Sequence, residues 1–201
     1  MAISAPDTPL ESVLREHGAR IVLRHGIRIA ADFGSAASEI AVCRRSVGLT
    51  DRFGRVTFDV RGAPEQVFAA LERIDVLGGR AWGVQCGPSR AIVRCEPDDA
   101  ASCRAALDGD DVLVLETTAD YAAVGLVGPR AGDVVRKARL DGPPFTATVI
   151  GEPEGYEVLV ARPLGPDLWA QLLRCGASFG IACVGFDALE HLSAARHAAG
   201  S

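Results

Sequence analysis

The alternation of apolar and polar positions divides the chain into short strands and amphipathic helices. Residues 11–17 predict a short helix stopped by Gly18. Residues 19–31 set Ile21 and Leu23 against Arg20, Arg24 and Arg28, which predicts extended pieces around a His25-Gly26 turn. Next comes a helix capped by Ser35 or Ser38, with Ala37, Ile40, Ala41, Cys43 and Val47 on its apolar side. Gly48 is expected to close that helix in a left-handed conformation, before a tight turn and a strand over 56–61. Pro64 opens a helix to about Ile74, with Val67, Phe68, Leu71 and Ile74 on one face. A Gly78-Gly79 turn, an apolar piece at 81–84 and a strand over 90–95 follow.

A helix then begins at Pro97, with Asp98 and Asp99 at the positive end of its dipole. Strands are expected over 111–116 and 122–127, and a short helix from Pro129. Beyond a boundary at Asp141-Gly-Pro-Pro144, strands over 145–150 and 156–161 flank a Pro153-Glu-Gly155 turn, and amphipathic helices cover 166–178 and 184–199. Two rounds of strand, helix and strand predict an α/β (α+β) fold with a ferredoxin-like split βαβ layer. That layer is expected to run from 56 to about 140. It would pack on a lobe made of 1–55 and 141–201, the whole chain forming one compact unit.

Composition narrows the function. A net charge of −5 and a pI near 5.4 speak against nucleic acid or an anionic membrane as partner. No apolar run approaches the roughly 18 residues of a membrane span. The first residues lack the basic and apolar regions of a signal peptide, so a cytoplasmic protein is expected. Six cysteines occur without a Cys-x-x-Cys pair, and the four histidines show no zinc spacing; free, buried or half-buried thiols are the reading. His191 and His197 do not share a helix face, and Trp169 sits on an apolar stripe that predicts a core position. Gly-x-Gly-x-x-Gly, phosphate-loop and Gly-x-Ser-x-Gly motifs are absent.

One ordered set of motifs resembles a known family. Its centre is the run Glu39-Ile-Ala-Val-Cys-Arg-Arg-Ser-Val-Gly-Leu-Thr-Asp51, followed by a strand ending Val60-Arg-Gly-Ala63. Upstream stand Thr8-Pro9-Leu10 and Gly18-Ala19-Arg20 with His25-Gly26. Downstream stand Tyr121-Ala-Ala-Val-Gly-Leu-Val-Gly-Pro-Arg130, Gly151-Glu152 with Gly155-Tyr156-Glu157, and residues 185–200. Together they resemble the glycine-cleavage T-protein (aminomethyltransferase) family, which includes the small gamma subunit of sarcosine oxidase. The resemblance implies an aminomethyltransferase-like fold, here without the family's C-terminal β-rich domain, and a tetrahydrofolate site in a central channel.

Site residues follow from the same resemblance. Glu157 matches the glutamate that holds the pterin ring, since a carboxylate accepts two parallel hydrogen bonds from a 2-amino-pyrimidinone edge. Tyr156 and Glu152 flank it. Arg196 matches an arginine near the family's terminal glycine, suited to a carboxylate or the folate tail. Arg52-Phe53-Gly54-Arg55 stands where the family has Ser-His-Met-Gly, with the methionine near the bound folate, so Arg55 would put a charge on that wall. The interval 78–90 lacks the family's catalytic carboxylate, and Asp75, Asp98 and Asp99 read as helix-end residues. The implied function is folate or pterin binding, assisting one-carbon transfer or demethylation; if catalytic, the chain would be a tetrahydrofolate-dependent aminomethyltransferase-like enzyme. The alternatives are a non-catalytic gamma-type subunit of a sarcosine oxidase-like complex and an enzyme reusing the pocket for other chemistry. The partners expected are a folate-like small molecule and a homo-oligomer or larger oxidoreductase complex, with neither nucleic acid nor membrane.

Overall fold

A computed structural model describes residues 8–199 except His25, Val76 and Asp110, and the side chains of residues 196–199 are outside the description. The chain opens with helix α1 (Glu11–Glu16) and a two-stranded hairpin, β1 (Arg20–Arg24) and β2 (Ile27–Asp32). Helix α2 (Ala36–Arg45) follows, and the Ser35 hydroxyl accepts from the Ser38 N–H at 3.5 Å. Gly48 does not close this helix. It lies inside strand β3 (Val47–Asp51), an element absent from the sequence reading. The glycine is needed for close approach: a Cβ there would lie 2.7 Å from Cys43 Sγ and 2.8 Å from Val184 Cγ2.

Strand β4 (Val56–Arg61), helix α3 (Pro64–Asp75), strands β5 (Ala81–Gly87) and β6 (Arg90–Cys95), helix α4 (Ala100–Leu107) and strand β7 (Leu113–Glu116) form the split βαβ unit. Its antiparallel sheet has the order β5-β6-β4-β7. Phe58, Val60, Ala91, Val93 and Val114 meet Val67 and Ala70 of α3 and Cys103 and Leu107 of α4 in one core cluster. A 3₁₀ turn, Pro97–Asp99, precedes α4 where the sequence predicts one uninterrupted helix.

The unit closes at Glu116, not near residue 140. Strand β8 (Tyr121–Val127) leaves it for a second sheet of order β11-β3-β8-β10-β9. The partners are β9 (Thr148–Glu152), β10 (Gly155–Ala161) and β11 (Ile181–Cys183). Strand β8 lies between β3 and β10, and six of its seven residues are buried, which explains its near-continuous apolar run. Helices α5 (Ala131–Ala138) and α6 (Gly165–Gly176) cover this sheet through Val134, Leu168, Trp169 and Leu172, and α7 (Phe186–Ala199) packs on α2 and β2. Trp169 is fully buried, as its position in the amphipathic pattern predicts. The two sheets meet where Trp82, Val84 and Ile92 pack on Ala123, Ile150 and Leu159. No helix among the described residues is long and apolar enough to cross a membrane.

Candidate ligand-binding cleft

Beside that apolar contact the sheets enclose a cluster of charges. The turn from β3 to β4 supplies Arg52 and Arg55. Its shape is held by the Asp51 carboxylate, which accepts from the Phe53 N–H at 2.9 Å, and by the Arg55 N–H, which donates to the Arg52 carbonyl at 3.1 Å. The Arg52 N–H donates to the Ala123 carbonyl at 2.9 Å and ties the turn to β8. Gly125 leaves room for the Arg52 side chain, because a Cβ there would lie 2.9 Å from its Nε. From the split unit, β6 places Arg94 opposite Thr57, with its side chain reaching Glu157 of β10.

Glu157 is fully buried and is gripped from two sides. Arg94 Nη2 donates to its Oε1 at 2.7 Å and Arg55 Nη1 to its Oε2 at 3.3 Å. Arg94 also donates to the Arg55 carbonyl at 3.0 Å, to the Arg52 carbonyl at 2.7 Å and to the Thr57 hydroxyl. Arg55 bonds Glu152, donates from Nε to Glu96 at 2.7 Å, and stacks 4.4 Å from the Trp82 ring centroid. Three arginines thus face three glutamates in a largely buried space.

Burial alone would push the Glu157 carboxyl up; the charges of Arg94 and Arg55, Arg94's hydrogen bond and the charge of Arg52 overcome it and hold the group down at about 2. Burial raises Glu152 despite Arg55 and Arg52, and the charge of Glu157 adds to the rise. Asp51 is pushed up to about 6 by burial, against the Thr8 hydroxyl, the Phe53 N–H, Arg94 and Arg52. Burial, then the charge of Arg55, lowers Arg52.

Of the residues expected at the site, Glu157, Glu152 and Arg55 come together. Tyr156 does not, because neighbours on a strand face opposite ways. It packs over Gly132, beside a separate open cleft of about 680 Å³. Arg196 lies on α7, but its side chain falls outside the described residues, as does His25. Asp75 is exposed at the end of α3, Asp98 sits in the 3₁₀ turn, and Asp99 pairs with Arg80 at 3.1 Å. Sequence reasoning does not find Arg94 or Arg52. Arg94 leaves a signal, a charge inside the otherwise apolar strand Ala91-Ile-Val-Arg-Cys95.

Arg52, Arg55 and Glu96 of the cluster line a cleft of about 240 Å³, together with Arg24, Asp51 and Asp98 and the apolar Ile27, Ile29, Phe186 and Leu189. No group of His, Cys, Asp and Glu among the described residues could hold a metal ion.

The fold class is that of the aminomethyltransferases. The chain superposes on glycine cleavage system aminomethyltransferase T from Bartonella henselae with a TM-score of 0.69 at 18% identity, over 92% of this chain and 61% of that one. It therefore spans about three fifths of the length of that enzyme. A looser overlap, TM-score 0.48 at 18% identity, joins 73% of this chain to 93% of a chain of heterotetrameric sarcosine oxidase from Corynebacterium sp. U-96. The regulatory subunit of aspartate kinase from Thermus thermophilus overlaps 64% of this chain and 97% of its own at 13% identity, with a TM-score of 0.41. No family model and no curated protein matches the sequence.

Proposed function

We propose that this protein binds a compact carboxylate-bearing small molecule in the cleft beside Arg52 and Arg55. One observation supports the reading above the others. The Arg52 side chain is only 15% exposed, its buried Nε has no hydrogen-bond partner, and its nearest carboxylate oxygen, on Glu152, is 3.9 Å away. A guanidinium that lines the cleft with no carboxylate closer than 3.9 Å lacks a close counter-charge, and a carboxylate in the cleft would supply one to the part of it that faces the cleft, while Nε stays packed against Gly125. The aliphatic and aromatic side chains opposite suit an apolar body attached to that carboxylate.

In this reading Glu157 is the counter-charge that fixes Arg94 and Arg55, and it does not touch the ligand. Both of its oxygens already accept from arginine and the side chain is fully buried, so a pterin edge has no route to it while Arg94 and Arg55 stay in place. The cleft is also smaller than the roughly 300–1,000 Å³ of sites that enclose drug-sized ligands. Tetrahydrofolate, which the family resemblance implies, fits only through a part of the molecule, such as a carboxylate of its glutamyl end.

The test is thermal unfolding with benzoate, phenylacetate and tetrahydrofolate. A ligand at ten times its Kd should add about 1.4 kcal/mol, or roughly 3–6 °C for a chain of this size. Arg52→Ala should lose the shift. No shift with any of the three, or equal shifts in wild type and Arg52→Ala, defeats the proposal. A tetrahydrofolate shift lost in Glu157→Gln but kept in Arg52→Ala would return the ligand to Glu157.

A further inference from the structure

Most arginines of this acidic chain are matched to carboxylates. Arg15 pairs with Glu11, Arg61 and Arg90 with Asp59, Arg104 with Asp108, and Arg130 and Arg136 with Asp133. Lys137, Arg139 and Arg174 differ from these, and from Arg44, Arg45 and Arg73, which also lack an ion pair among the described residues, in sharing one cleft. None enters an ion pair among the described residues, yet all three line one cleft of about 430 Å³ between the end of α5, the 143–145 loop and α6. The contacts of Lys137 and Arg174 are with neutral groups. Lys137 Nζ reaches Ser178 Oγ at 2.9 Å and lies 5.3 Å from the Phe179 ring centroid, and Arg174 Nη2 donates to Gln171 Oε1 at 2.6 Å. Among the described residues no carboxylate oxygen lies within 4.0 Å of the three charges, and the one acid lining the cleft is Asp167.

The backbone adds a second observation. Arg139 has φ 49° and ψ 64° and is the only non-glycine residue with positive φ among the described residues. It follows α5 at the position where a helix usually ends in glycine. A side chain kept where the backbone favours its absence indicates that the side chain is what the position requires. Asp167 also lines the cleft, but it lies seven residues, about 10 Å, along α6 from Arg174.

We propose that this cleft is a second binding site, independent of the one beside Arg52, and that it takes a phosphate-bearing small molecule. A phosphate group brings close to two negative charges and three acceptor oxygens, enough to engage each cation. A carboxylate brings one charge and two oxygens and leaves a cation unmatched. The rival explanation is that these cations only complement the C-terminal dipoles of α5 and α6.

Titration calorimetry at low ionic strength decides between them, with pyrophosphate as the probe and acetate as the control. Wild type should bind pyrophosphate and not acetate. Arg174→Ala and Arg139→Gly should each weaken binding by at least about tenfold, the loss of one charge-assisted hydrogen bond. Arg139→Gly should at the same time raise the melting temperature, because glycine suits the left-handed backbone. That variant separates binding from folding. No pyrophosphate heat with wild type, unchanged binding in both variants, or equal binding of acetate would each overturn the proposal.

Discussion

Removing Arg94 tests whether the buried cluster is held together as described. Its side chain is 1% exposed and Glu157 is 0% exposed, so Arg94→Met leaves a carboxylate in a buried space with Arg55, at 3.3 Å, as its remaining hydrogen-bond donor. Breaking a buried pair from one side typically destabilises by about 3–5 kcal/mol. At about 2–4 °C per kcal/mol, the melting temperature should fall by roughly 6–20 °C. The pH dependence carries the sharper test. In the wild type, the folded-state pKa of Glu157 is depressed to about 2 from 4.5. The stability it contributes is therefore present above pH 4.5 and is lost as pH falls through 2. Without Arg94, burial should raise that pKa above 4.5 and reverse the sign: the variant gains stability, relative to wild type, as pH drops from about 7 to 4.5. Urea unfolding at the two ends of that range reads both effects. The double variant Arg94→Met/Glu157→Gln should recover much of the loss at neutral pH, because no charge is stranded. A loss under about 1 kcal/mol at neutral pH, or a deficit that does not narrow at the acid end, refutes the reasoning.

Other outcomes follow from the same structure. Asp51 has a folded-state pKa raised to about 6 from 3.8, so its ionisation opposes folding as pH rises through that window; Asp51→Asn should gain stability relative to wild type as pH rises from about 4 to 7 in urea titrations. Gly155→Ala should destabilise by about 3 kcal/mol or more, since its Cβ would overlap the Leu126 carbonyl oxygen; thermal unfolding checks it. Cys86 is exposed while Cys43, Cys95 and Cys103 are buried, so maleimide should label Cys86 in the native protein and the other three only after denaturation.

Local pattern determined much of the architecture. Apolar periodicity marked the helices and most strands, and the strand–helix order after residue 56 predicted a split βαβ unit, though one running to about 140 where the structure ends it at Glu116, because period and turn chemistry act over a few residues. It is the family resemblance of short motifs that placed Arg55, Glu152 and Glu157 among the candidate residues. Strands β3 and β11 escaped, since a short stretch next to a helix has little periodicity of its own and becomes a strand only through its partners. The assignment of β8 to the second sheet was equally non-local, because pairing depends on which edge is open after the whole chain folds. The largest change is at Glu157. Sequence alone presents it as an acceptor waiting for a ligand. Tertiary structure brings Arg94 from 63 residues away and Arg55 from 102 residues away onto its two oxygens, and leaves Arg52 as a side chain with an unmet donor beside the cleft. Charge pairing across a sheet interface depends on distances in space, which residue spacing along the chain does not encode.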